Sequence, residues 1–153
     1  MLRISRLTDY GTVVLAHLAC EDAGLQSAAD VASATGIASP TVSKLLKALA
    51  KAGLVASTRG SHGGYRLARS AADISAAEVI DALEGPVSIT ECSAADSHCD
   101  FEAVCHVGNT WQRINVAIRR ALDEISLADL TRNNSPLPQF RFAGTPINVE
   151  HKV

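Results

Sequence analysis

Three cysteines, Cys92, Cys99 and Cys105, fall within fourteen residues, and a fourth, Cys20, stands alone near the N-terminus. Six residues separate the first two and five the second pair, so neither gap is the short knuckle of a structural zinc site. The N-terminus MLRISRLTDYG has no apolar stretch and no cleavage signature, which points to a cytoplasmic chain. In that compartment clustered cysteines read as metal or redox ligands rather than as disulfide partners. Three thiolates suit an iron–sulfur cluster, either 2Fe–2S or 4Fe–4S, because thiolate is the usual ligand of such clusters. A fourth donor is then needed, and Asp9, His98, Glu102 and His106 are the candidates. The acids Asp96, Asp100 and Glu102 oppose the electropositive setting that a reactive free thiol requires, which favours a metal group over a bare thiol switch. Cys20 reads instead as a small core residue on the inward side of the first helix.

A second constellation lies earlier in the chain. Ser39, Thr41, Val42, Ser43, Lys44 and Lys47 crowd the start of one helix, and Arg59-Gly60-Ser61-His62-Gly63-Gly64 forms a basic, glycine-rich loop. Hydroxyls and ammonium groups at a helix start can meet base edges and phosphates. Glycines let a backbone approach phosphate closely while Arg59 supplies charge. The net charge of −2 hides an asymmetry that fits this chemistry. Residues 1–70 hold eight Lys and Arg against four acids, and residues 71–153 hold six against twelve. A basic half joined to an acidic half suits a nucleic-acid reader in which only one half touches phosphate.

The elements that would position these residues follow from periodicity and capping. Ile4, Leu7, Val14, Leu15 and Leu18 give one apolar face to a helix over 5–21, with Ser5 or Thr8 at its start. Residues 27–35 form a short helix capped by Ser27 and stopped by Gly36. A third helix opens with Ser39 at the cap and Pro40 at the first helical position, and runs to about Ala52. Its apolar positions Val42, Leu45, Leu46 and Leu49 face inward. Strands over 54–58 and 65–67 flank the glycine-rich tip as a hairpin. Ser75 and Glu78 form a capping box for a helix over 75–84. A long helix over 109–126 carries Trp111, Ile114, Ile118, Ala121 or Leu122, and Ile125 at three- and four-residue steps, a narrow seam suited to pairing with a second copy. From about Asn133 onward three prolines and weak periodicity predict a loose tail.

Helix, short turn, helix and then hairpin is the order of a winged helix-turn-helix. Residues 36–69, GIASPTVSKLLKALAKAGLVASTRGSHGGYRLAR, with LTDYG at 7–11 and three cysteines before Trp111, resemble the Rrf-type winged-helix transcription regulators of the IscR and NsrR family. The resemblance covers roughly residues 1–130, and the opening is most like the branch that regulates SUF iron–sulfur assembly genes. It implies a cluster held by Cys92, Cys99 and Cys105. It further implies that Asp9, reaching across from the other subunit as in the NsrR-like members, completes the site. The IscR-like members use a histidine three residues after the last cysteine. Here that position is Gly108, and His106 is the nearest histidine.

The expected architecture is therefore mostly α, with a small β-hairpin wing and a long C-terminal dimerisation helix. Its expected parts are a DNA-binding domain over 1–84, a cluster-binding loop over 85–108, a dimerisation region over 109–132 and a flexible tail over 133–153. The expected function is a cytoplasmic, homodimeric repressor of iron–sulfur assembly genes that binds a palindromic duplex and senses through its own cluster. A nitric-oxide or redox sensor is the alternative within the class, and an iron–sulfur electron-transfer protein is the alternative outside it. No nucleophile–base pair or phosphate loop is legible, and His17, His62, His98, His106 and His151 are scattered, so an enzyme is not expected. No run of 18 apolar residues predicts a membrane span.

Overall fold

In the computed structural model, helix α1 spans Arg6–Leu18, and Ser5 caps it by accepting the Thr8 N–H. The structure describes residues 4–20, 24–60, 63–90, 93, 105–132, 141–142 and 145–146. Helix α2 spans Ala28–Thr35; Ser27 and Asp30 close a reciprocal capping box at its start. Gly36 ends it at φ 71°, a left-handed conformation that costs glycine nothing. Helix α3 spans Ser39–Lys51, but its cap is Ala38, which places Ser39 and Pro40 one position further inside than expected. The two residues Ile37 and Ala38 thus make the turn of the helix-turn-helix.

Strands β1 (Val55–Thr58) and β2 (Gly64–Leu67) pair antiparallel, with Thr58 opposite Gly64 and Val55 opposite Leu67. Gln26 adds a bridge on the far side of β2: its N–H donates to the Tyr65 carbonyl at 3.0 Å and its carbonyl accepts the Tyr65 N–H at 2.7 Å. The wing is therefore rooted on the link between α1 and α2. A 3-10 turn over Ala71–Asp73 leads into α4 (Ala76–Glu84), whose Ser75–Glu78 capping box forms as the sequence predicts.

The long helix is shorter than expected. Helix α5 covers Gly108–Asp123, and a separate helix α6 covers Leu127–Thr131 behind its own Ser126–Asp129 capping box. The segment between them is drawn inward: Ala76 N–H donates to the Ile125 carbonyl and Leu127 N–H to the Ile74 carbonyl. In the tail, Arg141–Phe142 (β3) and Thr145–Pro146 (β4) pair as a minimal hairpin, where the sequence predicted no regular structure.

One core holds these pieces. Val14, Leu15 and Leu18 from α1 meet Val31 from α2, Val42, Leu45, Leu46 and Leu49 from α3, and Leu54, Val55, Ile74 and Val79. Leu127 of α6 is fully buried in the same cluster, so the core that packs the first domain extends past residue 84 to take in α6. Two expectations on α1 do not hold. Ile4 precedes the helix and is exposed. Cys20 lies two residues beyond the helix end and is also exposed, with Sγ near the Ala16 carbonyl, so it is not a core residue. No helix of the described residues is long and apolar enough to cross a membrane.

Candidate nucleic-acid interface and sensor segment

The apolar stripe of α3 decides what its polar side can do. Val42, Leu45, Leu46 and Leu49 are fully buried, which turns Ser39, Lys44 and Lys47 to solvent and leaves Thr41 and Ser43 half exposed. No side chain caps the α3 N-terminus, which leaves its first backbone N–H groups uncapped beside the exposed Ser39 and the half-exposed Thr41. Val42 is a correction to the expected reading set. With no exposed surface it cannot touch a base edge, and its part is to hold the helix on the core.

The wing divides in the same way. Arg59 and Gly60 are exposed at its tip. Gly64, expected at the nucleic acid, is buried against Gln26 instead: a Cβ there would stand 2.7 Å from the Gln26 carbonyl oxygen. Gly63 is similarly confined, since a Cβ would come within 2.3 Å of the Thr58 carbonyl. Both glycines are demanded by how the hairpin packs. Ser61 and His62 lie outside the described residues.

The charges complement this geometry. Among the described residues Lys44, Lys47 and Arg59 make no ion pair. Arg69, by contrast, is committed to Glu78 at 2.5 Å, and Arg119 to Asp81 at 2.6 Å. A solvent-facing helix start and hairpin tip bearing unpaired cations can shed their counterions onto phosphate.

The sensor segment is described only in part. Cys92, Cys99, His98, Asp96, Asp100 and Glu102 lie outside the described residues. Cys105 is described and carries a free, exposed thiol just before α5. Gly108 faces it: a Cβ added there would sit 3.7 Å from the Cys105 sulfur, so a side chain at 108 would point at the thiol. His106 is exposed on the same approach to α5. Asp9 is exposed in the first turn of α1 and lines an open cleft of about 610 Å³ with Ile4, Arg6, Ile80, Leu122 and Ile125. Within the described residues no group of three metal-binding side chains converges.

Sequence reasoning missed two carboxylates. Glu84, the last residue of α4, accepts the Ser5 N–H at 2.9 Å and the Thr8 hydroxyl, fastening the first turn of α1 to the root of the cysteine segment. The Thr8 hydroxyl, then the Ser5 amide, hold its carboxyl below the usual glutamate range. Asp81 binds Arg119 through both terminal guanidinium nitrogens and raises the Arg119 pKa further, its hydrogen bonds outweighing burial. These contacts span 76 and 38 residues, and no local motif announces them.

A short-turned helix pair on one core, with its second helix open to solvent and a hairpin wing beside it, defines a winged helix-turn-helix DNA-binding protein. The chain belongs to the Rrf2 family: the family model described as "Iron-dependent Transcriptional regulator" matches residues 4–133. It is a DNA-binding transcription regulator, not an enzyme. It is 35% identical over 139 residues to protein rrf2 of Nitratidesulfovibrio vulgaris, covering 90% of this chain and 93% of that one. Among solved structures it is similar to CymR, the global cysteine regulator of B. subtilis, with TM-score 0.66 and 30% identity over 88% of this chain and all of that one. It is also similar to IscR of T. potens, with TM-score 0.63 and 31% identity over 86% of this chain and 88% of that one.

Proposed function

We propose that this regulator is a cytoplasmic homodimer that represses iron–sulfur cluster assembly genes and senses through a cluster of its own. Cys92, Cys99 and Cys105 would hold the cluster, and Asp9 of the partner subunit would complete it. The observation that carries this reading is the place of Gly108 beside the Cys105 thiol, where a Cβ would stand 3.7 Å from the sulfur. In IscR-like members a histidine at this position is the fourth ligand; here glycine offers no donor beside the thiol, so the fourth donor would come from elsewhere. Asp9 suits that role because it is exposed, stands on the wall of an open cleft and is turned away from its own core. The donor chemistry fits: soft thiolates favour iron–sulfur iron, and a harder carboxylate makes the fourth bond weaker, as a sensor with labile occupancy requires.

The dimer is supported by α5. Trp111 and Ile114 remain 42% and 39% exposed on it, while Ile118 and Leu122 line a second cleft with Ile4, Ile80 and Val87. A partner's helix laid along this seam would cover the exposed pair and set two reading heads on a palindromic duplex. Loss of a group bridging the two subunits would change their spacing, and DNA affinity would follow only through the energy difference between the two arrangements.

The second reading, a cysteine-responsive regulator, is favoured by the likeness to CymR. One experiment separates them. The full chain is reconstituted anaerobically with iron and sulfide, and its visible spectrum is compared with those of Cys105→Ala, Asp9→Ala and His106→Ala. A brown chromophore lost in Cys105→Ala and made labile in Asp9→Ala is the expected result. A spectrum perturbed only by His106→Ala reassigns the fourth ligand to His106. A colourless wild type that takes up zinc instead removes the cluster.

A further inference from the structure

Asp81 stands in the second half of α4 and serves two elements at once. Its Oδ1 accepts the Val87 N–H at 3.2 Å, which pins the first residues of the segment leading to the cysteines. The same carboxylate accepts from both terminal nitrogens of Arg119 on α5, at 3.1 and 2.6 Å. Arg119 also faces Asp123 at 3.8 Å, and Asp123 accepts the hydroxyl of Ser75, the α4 cap, at 3.4 Å. Asn115 is the one buried residue of the sixteen in α5, and the Asn115 Oδ1 has no hydrogen-bond partner among the described residues. Asn115, Arg119 and Asp123 recur every four residues, so they form a single polar strip along one helix face. A bidentate guanidinium–carboxylate pair is directional, whereas an apolar contact tolerates sliding. Moving the segment at Val87 therefore moves the acceptor that orients α5.

We propose that Asp81 is a positioning residue that carries the state of the cysteine segment to α5. For its physiological meaning this rests on the cluster-sensing reading above; the joint itself is a property of the Val87, Asp81 and Arg119 contacts. When ligation draws the cysteines together, the Val87 N–H shifts against Asp81, and the Arg119 pair is remade at a new setting. Because the apolar seam of α5 faces the second copy, that setting becomes the spacing of the two reading heads. The Asn115 Oδ1, which has no partner among the described residues, can shift with the strip without giving up a bond of its own.

The test uses hydrogen–deuterium exchange on the full-length, metal-free protein. Val87→Pro removes the N–H that reaches Asp81; Val87→Ala keeps it and is the control. Val87→Pro is expected to speed exchange in residues 108–123 by roughly fivefold, the low end of ordinary coupling between sites. Val87→Ala is expected to leave it unchanged, and Val87→Pro should add nothing in an Asp81→Ala background, which lacks both acceptor oxygens. Unchanged α5 exchange in Val87→Pro, or an equal increase in the Asp81→Ala background, overturns the proposal. If Val87→Pro unfolds, seen as fast exchange in α3 as well, Asp81→Ala alone decides. It must speed residues 85–90 and α5 together while α3 stays slow, and an effect on only one of the two overturns the joint. A last comparison of anaerobically loaded and stripped wild type should show a difference in α5 that shrinks in Asp81→Ala. A wild type that takes up no cluster refutes the cluster reading alone, since the metal-free comparison decides the joint.

Discussion

Replacing Gly64 by alanine tests how the wing is rooted. A methyl group at this position would stand 2.7 Å from the Gln26 carbonyl oxygen and 2.9 Å from the Gln26 carbonyl carbon and amide nitrogen. All three are backbone atoms, fixed by the two hydrogen bonds between Gln26 and Tyr65 at 3.0 and 2.7 Å. No side-chain rotation relieves the contact, so one strand has to move. Overpacking of this kind costs about 1–3 kcal/mol, and loosening the bridge costs about 1 kcal/mol more for each bond lost. Gly64→Ala should therefore lose about 2–4 kcal/mol. For a chain of 153 residues this lowers the melting temperature by roughly 5–15 °C. Gly24 is the control: it is exposed and a Cβ there meets nothing within 4 Å, so Gly24→Ala should stay within about 0.5 kcal/mol of wild type. Urea unfolding followed by circular dichroism measures both. DNA binding of Gly64→Ala, read by anisotropy at a temperature where it stays folded, should weaken because the displaced wing no longer aims Arg59. A Gly64→Ala midpoint equal to those of wild type and Gly24→Ala would refute the backbone clash and return Gly64 to the list of possible phosphate contacts.

Ile114→Glu should break the dimer, since Ile114 lies open on the α5 seam while Ile118 is half covered by its own chain. Sedimentation that finds the variant fully dimeric would remove α5 as the interface. Lys44→Ala and Arg59→Ala should weaken binding to all duplexes and flatten its salt dependence by about one phosphate each, whereas Thr41→Ala should alter base preference by about 1–3 kcal/mol. Val42→Ala separates reading from packing: it should lower stability and leave base preference untouched, and a changed preference would contradict its burial. Acid should lower stability in part through Glu78 and Glu84, both depressed, the first by Arg69 and the second by Thr8. Groups with lowered folded pKa values contribute fully above the ordinary glutamate range, and that stability is lost as pH falls through it toward the folded values. Arg69→Ala and Glu84→Gln should each flatten the acid limb of a stability-against-pH curve; identical limbs in all three proteins would refute the assignment.

What was legible in the sequence was local. Ser27, Ser75 with Glu78, and Gly36 each act within four residues of themselves, and each does what its type and position dictate. The third-helix cap slipped by one because Pro40 tolerates either of the first two helical positions, and Ala38 offers no side chain to settle the choice. Helix α6 was missed although Ser126 and Asp129 repeat the Ser75–Glu78 signal, because the apolar steps at Ile118, Leu122 and Ile125 suggested one uninterrupted helix. Cys20 was misplaced for a related reason: an apolar pattern extrapolated past Leu18 puts position 20 on a helix that has already ended. Gly64 looked like a phosphate contact because glycine answers equally to a ligand and to a neighbouring backbone, and only the fold shows that Gln26 is that neighbour. Asp81, Glu84 and Gln26 act on residues far away in sequence, so type and spacing could not reveal them.

The two faces of α5 follow different physics, and the difference bears on how a regulator of this shape could switch. The apolar seam gains from any close cover and is indifferent to small rotations, which suits a permanent contact between subunits. On the other face Arg119 and Asp123 are held by directional contacts, a geometry that favours a few discrete settings over a continuum. A helix gripped firmly by its partner and adjustably by its own domain moves with the partner when the intramolecular bonds are remade. In the proposed dimer the reading head would then shift relative to the dimer axis, and two such shifts, related by symmetry, would change the distance between successive recognition helices on the duplex.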